Sequence, residues 1–271
     1  MSSFALAWCA LHGGASTAQA APFLYGTGHA SLLDSTIFYS INPITGAATV
    51  IGNIGFSNVT GMDFNPITGV LYAEGVNGST GILLTINPLT GVGTSIGATG
   101  VSSAFSDLSF RSDGTLFGYN SGSIYTFNLS TGAATLIGFT GVITDGGLAF
   151  DSSDTLHIVN NGNAATINTN TAARDVGATM DYSPLSSSTR PSGMDYEPGT
   201  GVLWAITNAN SNGATPDYLT TINTATGTIS VVGQTTNGMD ALVVFVPEPS
   251  AVATLALATF SFLGCSRRRR A

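Results

Sequence analysis

The stretch GMDFNPITGVLYA, residues 61–73, has the pattern of two short β-strands joined by a tight turn. β-Branched and aromatic residues, which favour strands, flank the sequence Asn-Pro-Ile-Thr-Gly. In such a turn proline sets φ, glycine permits positive φ, and asparagine bonds to nearby backbone amides. The stretch therefore predicts a β-hairpin.

Related hairpins recur at 106–119, 146–159 and 192–206, and the aromatic residue of the first strand moves from Phe64 to Phe110, Phe150 and Tyr196. A second pattern occurs five times: YSINPITGAATVIG (39–52), LTINPLTGVGTSIG (84–97), YTFNLSTGAATLIG (125–138), ATINTNTAARDVG (165–177) and TTINTATGTISVVG (220–233). Ala172 replaces the turn glycine in the fourth copy. A period of roughly 40 to 55 residues is typical of propeller blades, which have four strands each.

The ends of the repeat region predict how it closes. FLYGTG (23–28) matches the second strand of a unit, and GMDALVVFV (238–246) matches a lone first strand. Pairing them makes one composite blade and removes the free edges of the sheet. The sequence thus predicts an all-β, five-bladed β-propeller over residues 21–246. A β-sandwich and a six-bladed ring are the alternatives.

The repeats resemble those of NHL and YVTN-type propellers, and the resemblance extends over most of residues 23–246. The resemblance implies a propeller fold, but it does not indicate which ligand the protein binds.

Composition excludes several classes of function. Residues 21–246 contain three arginines, no lysine and fourteen acids, which gives a net charge of −11. Such a surface repels nucleic acid and anionic lipid, because three arginines among fourteen acids form no basic surface that could neutralise phosphates. Both cysteines, Cys9 and Cys265, lie outside this region, so it has neither a disulfide nor a thiol site. No nucleic-acid partner is expected.

Both ends have the features of export signals. Residues 1–20 form an apolar stretch that ends in a small-x-small pattern at Ala18 and Ala20, which predicts signal-peptide cleavage and use of the Sec machinery. No basic residue precedes Phe4, so Met1 is not the expected start of such a signal. Near the other end, Ala251–Cys265 is uncharged and apolar, which predicts a short transient membrane anchor.

The segment 247–271 combines Pro247, Glu248 and Pro249, then the apolar run, then Arg267, Arg268, Arg269 and Arg270. This order resembles the PEP-CTERM sorting signal of Gram-negative bacteria that make exopolysaccharide. The resemblance implies recognition by an exosortase and delivery of the body to the cell surface or extracellular matrix. An ordinary C-terminal anchor is the alternative.

Three aspartates follow Gly-Met on presumed inner strands: Asp63, Asp195 and Asp240. Carboxylates near a propeller axis can contact a ligand or cation, or act as a pair in glycoside cleavage. Because a repeated aspartate is also expected to accept hydrogen bonds from turn amides, a structural role is the preferred interpretation. No catalytic residue is predicted.

The insertion at 179–191, with Tyr182 and Arg190, departs from the repeat and is the first place to expect a ligand contact. No metal site or cofactor is predicted, although the acidic turns at 111–115 and 151–155 leave Ca²⁺ as an alternative. The overall prediction is a non-enzymatic binding or structural component of the envelope or exopolysaccharide matrix. Its expected partner is polysaccharide or an envelope protein, and a glycoside-cleaving enzyme is the alternative.

Overall fold

The computed structural model describes residues 21–29, 35–141, 146–160, 162–185, 190–208 and 216–247. Pro22–Val246 cluster into one compact unit. The regular structure of the described residues consists of strands, with no helix. In chain order they are β1 (Phe23–Gly28), β2 (Ser35–Ile41), β3 (Ala48–Phe64), β4 (Leu71–Asn77), β5 (Thr80–Ile86), β6 (Gly93–Ala98), β7 (Asp107–Phe110), β8 (Leu116–Asn120), β9 (Ser123–Phe127), β10 (Ala134–Phe139), β11 (Gly147–Phe150), β12 (Leu156–Val159), β13 (Asn163–Ile167), β14 (Arg174–Thr179), β15 (Arg190–Tyr196), β16 (Leu203–Asn208), β17 (Tyr218–Asn223), β18 (Thr228–Gln234) and β19 (Met239–Phe245).

All pairings between these strands are antiparallel. Three sheets have four strands each and follow chain order: β7 to β10, β11 to β14, and β15 to β18. The remaining sheet has the order β19-β1-β2-β3-β4-β5-β6. Strand β3 pairs with β2 through its first half and with β4 through its second half, so this sheet contains two runs of four strands.

The first and last strands pair with each other. Phe23 is opposite Phe245 and Leu24 is opposite Val244, with an irregularity between Gly26 and Gly28. The two ends of the compact unit are therefore joined by a backbone ladder, and β1 is paired along both of its edges.

The repeated asparagine builds the turn between the third and fourth strands of each run. Its side-chain Oδ1 accepts the N–H of the residue two positions later at Asn42, Asn87, Asn128, Asn168 and Asn223. The turn then needs a positive φ, which glycine supplies in four copies. In the fourth copy Ala172 takes that conformation, with φ 58°.

Glycines on outer strands allow close contact between consecutive runs. A Cβ atom on Gly52 would meet the carbonyl oxygen of Thr90, in the turn of the next run. The same approach joins Gly97 to Thr131 and Gly233 to Thr45. Because Gly233 belongs to β18 and Thr45 follows β2, this contact links the last run to the first.

The outermost strand of each run also contains a β-bulge, which is one residue without a partner on the neighbouring strand, beside or at the equivalent place of this glycine in the run. The register of the ladder shifts there. The bulged residue is Ile51, Ile96, Ile137 or Val232 in four strands, and each of these packs against a hydrophobic cluster. In β14 the corresponding residues are Gly177 and Ala178.

The innermost strands lie side by side in the closed order β19, β3, β7, β11, β15 and back to β19. The hydrophobic clusters fill the spaces between consecutive runs. One cluster, for example, joins Phe38 and Val243 of the first run to Leu71 and Leu84 of the second. The all-β prediction is confirmed for the described residues.

Candidate functional site

The inner strands carry side chains that bond across to the next inner strand. Asp63 and Asp195 occupy equivalent positions, opposite Tyr72 and Trp204 of the adjoining strands. Asp63 Oδ2 accepts the N–H of Phe110 at 2.6 Å, and Asp195 Oδ2 accepts the N–H of Val244 at 2.8 Å. These carboxylates thus fasten β3 to β7 and β15 to β19.

A serine makes the same bond at the third equivalent position. Ser109 Oγ accepts the N–H of Phe150 at 3.0 Å and joins β7 to β11. The donors in these contacts are amides of neighbouring inner strands, whereas the sequence led us to expect turn amides.

Asp240 does not share the environment of Asp63 and Asp195, although all three follow Gly-Met. The pairing of β19 with β1 places Val243 and Val244 where β3 has Asp63 and Phe64. Asp240 lies three positions earlier, next to the irregularity in the ladder. The prediction of three identical contexts was wrong here, because the strand register shifts relative to the motif.

Asp107 is an inner-strand acid that sequence reasoning missed. It takes the place that Gly61, Gly147 and Gly193 occupy in other inner strands, and it is fully buried. Its Oδ2 accepts N–H bonds from Leu148 at 2.8 Å and Met194 at 3.1 Å, so one carboxylate joins β7, β11 and β15. The available signal was a charged residue at a position otherwise held by glycine.

The carboxyl groups of Asp63, Asp107 and Asp195 are close enough to influence one another's pKa values. Burial raises the pKa of Asp63 to about 7, although hydrogen bonds from Phe110 and Phe64 oppose the shift. Burial, together with the charge of Asp63, raises the pKa of both Asp107 and Asp195. A carboxyl that stays protonated near neutral pH can donate a proton, so the cluster has one property of a general acid.

A second polar cluster surrounds the start of β19. His29 Nδ1 lies 2.8 Å from Asp240 Oδ2, and both side chains are buried. Asp217 Oδ2 accepts the N–H of Met239 at 2.8 Å, and Asn208 Nδ2 donates to the carbonyl of the same residue at 3.0 Å. Burial raises the pKa of Asp217 to about 7. This cluster holds the closing strand in place, and its Asp217 was not predicted.

The insertion places its aromatic residue inside the protein. Tyr182 is 8% exposed and packs in a hydrophobic cluster, and its hydroxyl donates to the carbonyl of Asn160 at 2.5 Å. Burial raises the Tyr182 pKa. Arg190 begins β15 opposite Asn208. Tyr182 and Arg190 therefore do not lie together as an exposed pair on a loop.

The two acidic turns bind each other and their own backbone. Arg111 donates to Asp113 Oδ2 at 2.6 Å, and this contact holds the pKa of Asp113 well below its usual range. In the other turn, Asp151 Oδ2 lies 3.0 Å from His157 Nε2. Asp154 accepts hydrogen bonds from both the amide and the hydroxyl of Ser112. These contacts use the carboxylates to join the two turns.

An open groove of about 550 Å³ lies at the turns of the last run, between Gly201–Val202 and Asn223–Thr226. Hydroxyl and amide groups of Thr221, Thr228 and Ser230 line it together with Tyr196. No group of three or more histidine, cysteine or acidic residues arranged for metal binding occurs among the described residues.

Several predicted residues lie outside the described part: Ala18, Ala20, Glu248, Pro249, Arg267, Arg268, Arg269 and Arg270. Pro247 is the last residue described. Within the described ranges, no helix has the length and apolar character needed to cross a bilayer.

No protein-family model matches the sequence. No curated protein matches it at a significant level. Among solved structures, the chain is similar to one in the crystal structure of a nidogen/laminin complex, with 12% identity and a TM-score of 0.55 over 83% of this chain and 98% of that one. This likeness and the sheet arrangement show a β-propeller body.

Two other solved structures are similar at lower TM-scores. TolB from Acinetobacter baumannii has 12% identity and a TM-score of 0.46, over 78% of this chain and 51% of that one. The PQQ-bound aldose sugar dehydrogenase from Streptomyces coelicolor has 14% identity and a TM-score of 0.45, over 72% and 74% of the two chains.

Proposed function

We propose that the protein is an exported five-bladed propeller, processed by an exosortase, that acts as a non-enzymatic binding or structural component of the envelope or exopolysaccharide matrix. The blade count is supported by the two runs of four strands in the large sheet and by the closed order of inner strands. On this assignment the first blade is composite and consists of β19, β1, β2 and the first half of β3.

The observation that carries the non-enzymatic assignment is the use of the axial carboxylates as fasteners. Asp63 and Asp195 each accept a backbone N–H from the next inner strand, and Asp107 accepts from two other inner strands. A side chain that must keep these bonds to hold neighbouring blades together is poorly suited to a changing role in catalysis. Ser109, which makes the same bond at the equivalent position of β7, supports the structural interpretation.

Export and sorting are supported by the order of features in the two ends, and a processing experiment tests them. The full chain would be expressed, with an epitope tag on an exposed loop of the body, in a Gram-negative host with and without an exosortase. We expect the body to reach the cell surface or medium without Arg267–Arg270 only when the exosortase is present. A product that keeps the arginines in the cytosol of both hosts would refute the assignment.

The binding role is tested with the producer's own exopolysaccharide and envelope fractions. Processed protein recovered from the exosortase host would be passed over immobilised polysaccharide and over immobilised envelope proteins. We expect retention by at least one of these fractions, and little retention by nucleic acid because the body is strongly acidic. Absence of retention by every fraction would leave only a structural role.

Glycoside cleavage is the second candidate, and the raised pKa of Asp63 favours it, because a general acid must hold its proton near neutral pH. A panel of arabinan, fructan and related glycans would be incubated with the protein and with the Asp63→Asn and Asp195→Asn variants. Product formation that is lost in both variants would establish this activity. Product formation that is unchanged in both would exclude these residues.

A further inference from the structure

The part of the fold formed by β1–β6 and β19 has no exposed charge among its described residues. Its charged side chains are Asp63, Glu74 and Asp240, all of which are at most 9% exposed, and His29 is buried beside Asp240. The described residues that follow, by contrast, contain exposed or partly exposed charges such as Arg111, Asp113 and Asp175. Among the described residues, exposed charge thus lies outside this region.

Large apolar side chains project from one edge of this uncharged region. They are Phe23 (54% exposed), Ile44 (82%), Ile67 (67%), Val70 (38%), Leu89 (86%) and Val92 (55%), which we call the apolar edge. Scattered exposed hydrophobic residues are ordinary, but a contiguous set rimmed by polar surface indicates an interaction site.

The register shows that these residues lie on a common edge. Phe23 is opposite Phe245, and Leu24 is opposite Ile41, which begins the turn that carries Ile44. In the second blade Phe64 is opposite Leu71, and Leu71 is opposite Ile86, so the turns carrying Ile67 and Leu89 share that end of the sheet. The rings of Phe64 and Phe245 are 5.0 Å apart. This contact brings the end of the strands β19, β1 and β2 next to the corresponding end of β3, β4 and β5.

The turns themselves do not require apolar residues at these positions. The place of Ile44 and Leu89 is taken by Ser130, Asn170 and Ala225 in the other three turns of this type. All five turns keep the asparagine hydrogen bond. Because the turn geometry is independent of this residue, the isoleucine and leucine need another explanation.

Both ends of the chain leave the compact unit at the apolar edge. Strand β1 begins at Phe23, and β19 ends at the paired Phe245. Only three residues separate Pro247 from Ala251, the first residue of the predicted apolar anchor. Four residue steps span at most about 14 Å, so an inserted anchor would keep this edge close to the bilayer.

We propose that the apolar edge rests on the surface of a neutral lipid bilayer while the chain is tethered. This rests on the proposed function, which supplies the membrane anchor. Ile44, Ile67 and Leu89 enter the interfacial region as shallow apolar tips. The described charges nearest this edge belong to the turn 111–115, whose Gly114 lies against Ile67, and Arg111 and Asp113 in that turn form an ion pair with each other. The acidic remainder of the body faces water and avoids anionic lipid.

The experiment measures whether the edge reaches lipid, by means of a tether that does not depend on the anchor. The full chain with an N-terminal histidine tag would be held on dioleoylphosphatidylcholine vesicles that contain a small fraction of nickel-chelating lipid. Two variants are compared, Leu89→Trp at the apolar edge and Ser130→Trp at the matched position of the next turn. Acyl chains brominated near their midpoint quench tryptophan that has entered the membrane.

We expect brominated lipid to quench the introduced tryptophan of Leu89→Trp at least about twofold more than that of Ser130→Trp. Trp8 and Trp204 contribute equally to both variants and are subtracted through the unmodified chain. Equal quenching of the two variants would overturn the proposal. So would a concentration-dependent emission shift of Leu89→Trp without lipid, because it would assign the edge to self-association.

Failure of the anchor is detected separately. After the tag is released with imidazole, an inserted anchor keeps the chain on the vesicles during flotation. Loss of the chain at this step, with strong quenching of Leu89→Trp before it, would refute the anchor and retain the apolar edge. Changing Ile44, Ile67 and Leu89 together to serine should abolish the excess quenching of a tryptophan placed at Val92, and unchanged circular dichroism would show that the variant still folds.

Discussion

The large sheet, with its two runs of four strands, and the three four-stranded sheets use the same backbone turns with different side chains. In the turn after β5 the tip is Leu89, 86% exposed, whereas the corresponding turn after β9 has Ser130. Both turns bond the asparagine side chain to the amide two residues later, at 2.9 Å. The comparison teaches that asparagine and the positive-φ residue define the turn, while the tip is free to serve another purpose.

The largest expected effect tests whether the two regions lock together in the same way. A Cβ atom added by Gly97→Ala would meet the carbonyl oxygen of Thr131, across the boundary between the large sheet and the sheet of β7 to β10. Backbone cannot move aside as a flexible side chain can, so we expect a loss of about 3 kcal/mol in the free energy of unfolding. Urea denaturation measures it.

Gly162→Ala is the matched control, since its added Cβ would lie 3.5 Å from the nearest atom, Asn160 Oδ1. Its effect should be below about 1 kcal/mol. If Gly97→Ala costs no more than the control, the close approach of the two blades in this structure is wrong.

The pH dependence of stability separates Asp63, a buried acid of the first region, from Asp113, an exposed acid of the second. Asp63 has a folded-state pKa of about 7, above its ordinary value of 3.8. Between these values the folded form holds a proton that the unfolded form has lost, so rising pH favours unfolding. From about pH 5 to about pH 8, Asp63 alone should lower the free energy of unfolding by about 2.5 kcal/mol.

Urea titrations at several pH values measure this slope, which Asp63→Asn should reduce. Asp113→Asn should leave it unchanged, because Asp113 is exposed and its low pKa moves its titration to acidic conditions. A wild-type protein that becomes more stable across this range would contradict the burial of Asp63.

A smaller effect tests the claim that the turns are equivalent. Asn87→Ala and Asn128→Ala each remove a side-chain acceptor for the amide two residues later. Each should lower the free energy of unfolding by about 1 kcal/mol, the ordinary net value of one such hydrogen bond. Losses that differ between the two variants by much more than this would show that the turns of the two regions are not interchangeable.

The smallest expected effect concerns the tips. Leu89→Ser and Ser130→Leu change only exposed side chains, so thermal unfolding should show changes below about 0.5 kcal/mol for both. A large loss in Leu89→Ser would mean that the leucine supports the fold, which would remove the reason to assign it to an interaction.

Much of the fold was predictable because each strand and turn of the repeat is specified by residues close together in the sequence. Each turn depends on residues within five positions of one another, so Asn42, Asn87, Asn128, Asn168 and Asn223 could be recognised from spacing alone. The match of 23–28 to a second strand and of 238–246 to a first strand also led to the pairing that is observed between β1 and β19. The candidate site was less predictable.

The motif Gly-Met-Asp does not place Asp240 as it places Asp63 and Asp195, since β19 pairs with β1 in a different register. The remaining residues of β19 extend further along β1, so Val243 reaches the place of Asp63. A ligand contact was expected at Tyr182 because its segment departs from the repeat, yet its side chain is buried and bonds to Asn160. A short motif does not specify which neighbour a side chain meets.

The sequence by itself determined the strand-and-turn pattern and the acidic net charge of the body, because both can be read from the residues along the chain. Only the tertiary structure decided the partners of the buried acids, because Asp107 bonds to β11 and β15, 41 and 87 residues further on. Those contacts depend on how separate sheets pack and on the register of their inner strands, and a side-chain period of two residues carries no information about either.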